Sequence, residues 1–200
     1  MEQGKPKLGG LLDPHMGTVD RDIRCMSCSG KMADCPGHFG NIKLVKPMYH
    51  VSFINAIIKV LQCVCFHCSK LKADDNNNAF RRAKKFKNPK NRFREVHTIC
   101  KKEMICPVHT ESAETNEVSR NGCGGVQPNY KKDGLQIVAD FKTKGANDQP
   151  SKPLTPEKVL QIFKLISDED IEAMGFSTLY ARPEWMLITQ VPVPPPPVRP

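Results

Sequence analysis

The string CMSCSGKMADCPGHFG constrains this chain more than any other. Cys25 and Cys28 stand at CxxC spacing and Cys35 and His38 at CxxH spacing, so four donors fall within fourteen residues. Two such pairs suit one tetrahedral zinc, and four protein ligands leave no open coordination position, so a metal held here would set shape rather than activate water. Gly30, just past the first pair, and Pro36 and Gly37, inside the second, are expected to let the backbone turn tightly enough for amides to face the sulfurs. The chain has nine cysteines, an odd number for a disulfide framework, and no apolar leader or membrane-length run accompanies them. That fits a reducing compartment better than a secreted, disulfide-stapled domain.

A second quartet is expected downstream, with its membership less sharply spelled. Cys65 and Cys68 form another CxxC pair in CVCFHCSK, with Cys63 two residues earlier as a competitor. The partners come from Cys100, from Cys106 with His109 (again CxxH), and from Cys123 in the turn NGCGG. Spacing alone allows Cys65, Cys68 and Cys106 to be completed by either His109 or Cys123. The glycines Gly122, Gly124 and Gly125 favour Cys123, because a ligand on a tight loop needs permissive backbone. Cys63 and Cys100 are then left as ordinary thiols, the commoner fate of an unpaired intracellular cysteine.

Charge adds a different constraint. Thirty basic against 21 acidic side chains give a formal charge of +9, which favours a polyanionic partner. The excess is concentrated between Arg81 and Lys102, where ten Lys or Arg face one acid, Glu95. Arg81, Arg82, Lys84, Lys85, Lys87, Arg92 and Arg94 are the candidate nucleic-acid contacts, and Phe80, Phe86 and Phe93 are interleaved among them. Without a finger helix or an aromatic RNA-binding block, contact would track the phosphate backbone rather than read bases. The bland alternative is a solvated helical surface whose phenylalanines pack inward.

The pattern along the chain is mixed. Residues 41–45 (NIKLV) alternate as a short strand, and 51–62 (VSFINAIIKVLQ) carry the apolar spacing of a mostly buried helix leading into Cys63. DDNNN at 74–78 reads as a turn or helix start, followed by a basic helical region that Pro89 interrupts. ESAETNEVSR at 111–120 reads as a surface loop. Residues 126–130 and 135–141 suggest a hairpin turning at 131–134. Thr155 is placed to cap a helix with Pro156 at its first position, and Ser167 to cap a second short helix closed by Gly175. Trp185 opens an apolar strand, WMLITQV, before the proline-rich VPVPPPPVRP. The expected fold class is α+β, irregular and zinc-stabilised. Its segments are an extended 1–24, a core with both zinc sites at 25–141, a linker at 142–152, a helix pair and returning strand at 153–191, and an extended 192–200.

Nothing catalytic stands out. There is no nucleophile elbow, no Walker-type glycine loop and no aspartate cluster able to hold magnesium. Asp168, Glu169 and Asp170 open a helix and suit its dipole. His15, His50 and His97 lack a neighbouring nucleophile and read as hydrogen-bonded structural residues.

In order, GKPKLGGLLDPHMG, CMSCSGKMADCPGHFGNIKLVKPMYHV, VLQCVCFHCSKL, NGCGGVQP, ARPEWMLIT and VPVPPPPVRP resemble the N-terminal clamp region of the largest subunit of RNA polymerase II, over nearly the whole chain. VCFHCSKL and the proline-rich end are closer to the polymerase II form than to its polymerase I and III counterparts. The stretch between Ala73 and Ile105 matches only loosely.

The resemblance implies an incomplete clamp-type domain with two structural zincs, one on Cys25, Cys28, Cys35 and His38 and one on Cys65, Cys68, Cys106 and Cys123, with His109 not a ligand. It implies a nuclear protein acting in transcription as part of a DNA-directed RNA polymerase, a nucleotidyltransferase. Its implied partners are the other polymerase II subunits, template DNA and the RNA:DNA hybrid, with no membrane. The magnesium ions of nucleotidyl transfer belong to a continuation absent from these residues, so the chain is expected to be a fragment without catalytic residues of its own. A free-standing zinc module binding nucleic acid or protein is the other reading.

Overall fold

A computed structural model describes residues 6–73, 76–108, 122–141 and 152–199. Two compact units emerge: residues up to Val45 together with those from Thr189 onward, and Lys46–Ile188. The expected surface loop at 111–120, most of the linker (142–151), Asp74 and Asp75 of DDNNN, and His109 lie outside the described residues.

The first unit is built from turns. Asp13 caps the 3-10 turn Pro14–Met16, accepting from the His15 N–H at 2.8 Å and the Gly9 N–H at 2.6 Å. Those two amides hold its carboxyl below the usual aspartate range. Among the described residues of this unit, Met16 is the only buried large apolar side chain besides cysteines and prolines. The proline-rich segment does not stay extended throughout. Pro196–Val198 forms a 3-10 turn, Pro195 is buried beside Gly37, and the Arg199 guanidinium donates to the carbonyls of Pro194 (2.9 Å) and Leu11 (2.5 Å).

Strand β1, Gly40–Tyr49, is twice the length that NIKLV suggests and runs through Pro47. A proline is tolerated where the strand need not donate on that side, and β1 has one strand neighbour, Leu187–Val193 (β5 in chain order), in a two-stranded sheet.

The second unit carries the hydrophobic core. A 3-10 turn, Val51–Phe53, leads into α1, Ile54–Cys63, whose Ile54, Ile57, Val60 and Leu61 are fully buried. The Asn77 side chain accepts from the Ala79 and Phe80 amides to start α2, Asn78–Lys84. Asn88 likewise starts α3, Pro89–Cys100, with Pro89 at its first position, so the proline begins a helix where it would break one. Strands β2 (Asn129–Asp133), β3 (Gln136–Asp140) and β4 (Lys152–Leu154) form an antiparallel sheet in the order β2-β3-β4. The hairpin turns at Gly134 and Leu135, not at 131–134: Asp133 pairs with Gln136, and Gly134 takes the positive φ of 55° at the first loop position. Lys152, expected in the linker, instead begins β4, which the three-residue pattern KPL was too short to announce.

Both downstream caps form. Thr155 Oγ1 accepts from Lys158 N to open α4, Pro156–Lys164, and Ser167 Oγ accepts from Asp170 N to open α5, Asp168–Ala173. Trp185 does not open a strand. Pro183 at the first position nucleates a 3-10 turn, Pro183–Met186, and β5 starts only at Leu187. The helices and the three-stranded sheet close on one cluster that includes Ile57, Val96, Ile137, Phe163, Ile171 and Met174.

Phe163 is fully buried in that cluster, so Phe163→Ala is expected to cost about 3 to 5 kcal/mol by lost transfer energy plus a cavity. Urea unfolding of the metal-loaded chain measures it.

Candidate metal centres

Each CxxC pair sits on the same local construction. In the first, Cys25 N donates to Gly30 O (3.0 Å) and Ser29 N to Cys25 O (2.8 Å); in the second, Cys65 N donates to Lys70 O (2.8 Å) and Ser69 N to Cys65 O (3.0 Å). Ser29 and Ser69, each just past its second cysteine, both take φ of 60°. The left-handed position is therefore a serine in both turns, and Gly30 serves by leaving room, since a Cβ there would sit 3.3 Å from Cys28 Sγ. Serine tolerates this conformation at a cost of order 1 kcal/mol, which persists where surrounding structure over-determines it.

These turns bring the donors together. The ligand atoms of Cys25, Cys28, Cys35 and His38 all lie within 4.8 Å of one another, and so do those of Cys65, Cys68, Cys106 and Cys123. Cys35 Sγ stands 3.7 Å from His38 Nε2, Cys65 Sγ 3.5 Å from Cys123 Sγ, and Cys68 Sγ 3.8 Å from Cys106 Sγ. A tetrahedron with Zn–S near 2.3 Å and Zn–N near 2.0 Å has edges of about 3.5 to 3.8 Å, whereas a disulfide needs about 2.05 Å between sulfurs. All nine cysteines are free thiols. Each cluster thus could hold one zinc with no position left for water.

The glycine loop supplies the fourth donor of the second cluster because bulk is forbidden there. A Cβ on Gly122 would lie 2.6 Å from Cys106 Sγ and 2.0 Å from the Pro107 carbonyl, and one on Gly125 would lie 2.5 Å from the His67 ring. Cys106 N in turn donates to Gly125 O at 2.9 Å, fixing the loop against the segment that carries Cys106.

The metal-free thiols are strongly split in acidity. Burial works to raise Cys25 and Cys65, but amide N–H groups of Cys28 and Ser27 around the first, and of Cys68 and His67 around the second, bring them down to about 6 and about 7. Burial and the neighbouring Cys65 and Cys68 thiols push Cys106 up to about 12 against the pull of the Cys123 amide. Cys63 and Cys100 belong to neither cluster. Both are fully buried at the ends of α1 and α3, and Cys63 is raised well above an ordinary thiol, first by its hydrogen bond with Cys100 and then by burial. Lys72 is buried beside them and donates to Glu103 O at 2.8 Å, with its pKa lowered by burial. Nothing in the sequence pattern marked it.

The basic segment divides by role. Arg82, Lys85 and Lys87 are exposed, as are Arg81, which donates to Asn78 Oδ1 at 2.7 Å, and Arg94, which lies 3.5 Å from Glu95. Lys84 lies over the Phe80 ring, 5.3 Å from its centroid. Arg92 is a brace instead: its guanidinium donates to the carbonyls of Phe86 (3.0 and 2.9 Å) and Glu172 (3.0 Å). Phe80 is buried and Phe93 packs edge-on to Phe176, while Phe86 is exposed. His15 and His50 have local hydrogen-bond partners, in Asp13 and the Ser52 amide, and His97 bonds Gln62 of α1. Asp170 is buried and accepts from Leu71 N.

The chain thus carries two closed donor quartets and a basic helix pair. The family described as RNA polymerase Rpb1, domain 1, matches residues 1–200. The chain belongs to that family. It is part of the largest subunit of an RNA polymerase, works in transcription within a DNA-directed RNA polymerase complex, and has the other polymerase subunits as partners. No helix among the described residues of this Rpb1 domain is long and apolar enough to cross a membrane.

Cys123→Ser is expected to lower zinc content from two per chain toward one, with Cys63→Ser keeping two, as read by elemental analysis after dialysis. The reverse pattern would remove Cys123 from the second centre. Protons on Cys106, Cys68 and Cys35, all raised above an ordinary thiol, must leave when metal binds. Loading at neutral pH is therefore expected to release protons, and apparent affinity to rise with pH. Calorimetry in two buffers of different ionisation enthalpy counts them.

Proposed function

We propose that this chain is the clamp portion of the largest subunit of RNA polymerase II, working in the nucleus to help hold template DNA and the RNA:DNA hybrid during transcription. Two structural zincs, on Cys25, Cys28, Cys35 and His38 and on Cys65, Cys68, Cys106 and Cys123, are its scaffold. The carrying observation is the pair of closed quartets in a chain of this family: all four positions of each cluster come from protein, which suits holding shape and not activating a substrate. A structural zinc contributes about 10 to 16 kcal/mol of apparent binding energy, enough to stand in for a missing apolar core.

The polyanion contact falls to the helix pair α2 and α3. Arg82, Lys85 and Lys87 are exposed, and no acid lies between Asn76 and Arg94 to oppose them. Each phosphate neutralised adds to a salt dependence of slope about −0.9 per contact on duplex DNA. Arg92, committed to main-chain carbonyls, drops out of the contact set that the sequence suggests. Within the polymerase these residues bind backbone and stabilise the complex; they do no bond-making chemistry.

The test is to tag the chain in cells and purify it from nuclei. Recovery with the other polymerase II subunits and templated RNA synthesis is the expected result; recovery alone, without subunits or activity, would favour a free-standing zinc module. In the purified polymerase, changing Arg82, Lys85 and Lys87 together to Glu is expected to shorten the salt-challenged lifetime of the template complex and flatten its salt slope. The same change at Arg92 is expected to act first on stability.

A further inference from the structure

Gln127 is a polar residue with 3 % of its surface exposed, and both the oxygen and the nitrogen of its side-chain amide are hydrogen-bonded. Its Oε1 accepts from Phe66 N at 2.8 Å, its Nε2 donates to Gly125 O at 2.7 Å and to Cys65 Sγ at 3.2 Å, and its own N–H donates to Met104 O at 2.8 Å. These four bonds reach each of the three segments that supply the second quartet: the CxxC turn, the segment leading to Cys106, and the glycine loop carrying Cys123. His67 N also donates to the same sulfur, at 3.3 Å.

The amide can face only one way. Turned over, Nε2 would meet the Phe66 N–H donor to donor and Oε1 would meet the Gly125 carbonyl acceptor to acceptor, so two fixed backbone groups hold the remaining N–H on Cys65. A thiolate that accepts hydrogen bonds carries its charge more easily, and outer partners of this kind typically change metal affinity 10- to 100-fold when lost. A buried amide left without its partners is also costly, so the arrangement is held from both sides.

We propose that Gln127 is a positioning residue of the second metal centre, holding an N–H on the Cys65 thiolate and locking the three ligand-bearing segments in register, so that it sets zinc affinity there without touching the metal. This rests on the zinc reading of the second quartet.

The test uses the full 200-residue chain. In Gln127→Met, of similar volume but without N–H groups, chelator competition is expected to show one of the two zincs weakened 10- to 100-fold and the other unchanged. Gln127→Glu keeps the acceptor toward Phe66 but turns acceptors on Cys65 and Gly125, and is expected to lose at least as much. In the cobalt-substituted Gln127→Met chain, the sulfur-to-metal charge-transfer band of the second centre is expected to move, which a purely packing role would not produce. Unchanged affinity, or a loss of affinity with the band unmoved, overturns the proposal. If the variants do not fold, the wild-type chain loaded with cadmium-113 still decides. A scalar coupling between the metal and a Gln127 Nε2 proton supports it, and two bound cadmiums with no such coupling overturn it. A wild-type chain that binds one metal regardless of Cys123→Ser would instead sink the zinc reading of the second quartet, and this inference with it.

Discussion

Convergence of eight soft donors into two clusters is the constraint on which the rest of the chain depends. Within the described residues up to Val45 and from Thr189, almost no apolar side chain is buried, so backbone turns, prolines and the Cys25 quartet must hold that unit. The same turn recurs around Cys65, where a larger apolar cluster is available as well. Repetition of one construction, with Ser29 and Ser69 both in the left-handed region, shows that the backbone is shaped to aim sulfurs even at some conformational cost. Amides that face the lead thiols lower their pKa before any metal arrives, while thiols of the same cluster resist a second charge.

That division of labour suits a part of a polymerase that must keep its shape. Basic groups gathered on α2 and α3 ride on a core made by α1, α3 and the sheet, so their positions are set by buried neighbours such as Phe80 and Val96. Of the three interleaved phenylalanines, two serve that anchoring, and the inward-packing reading holds for them; Phe86 alone stays at the surface. Arg92 has gone further, becoming part of the frame by joining the loop before α3 to the end of α5.

Local chemistry explains which features could be read in advance. Thr155, Ser167 and Asn77 cap helices because their side chains satisfy free amides within three residues, a short-range event. The α1 helix announced itself through apolar spacing. Errors fell where a short signal had rival outcomes. Trp185 lies in a proline-nucleated turn, the hairpin turned two residues later than its charged residues suggested, and β4 was too short to show a pattern. β1 outran NIKLV because its end depends on pairing with a strand about 140 residues away, which no local window contains.

The sequence by itself determined the donor types, the repeated CxxC spacing and the concentration of positive charge, since these are properties of neighbours along the chain. It left open whether Cys123 or another donor would join Cys65, Cys68 and Cys106, because a site assembled across 59 residues is closed by the fold and not by spacing. Tertiary structure decided that Cys123 stands with those three, that Cys63 and Cys100 meet each other instead, and that Arg92 braces a helix. It also put the amide of Gln127 against Cys65, 62 residues away. The physical reason is common to all of them: a hydrogen bond or a shared ligand shell needs placement within a few tenths of an ångström, and only the packed core fixes distances of that order between remote segments.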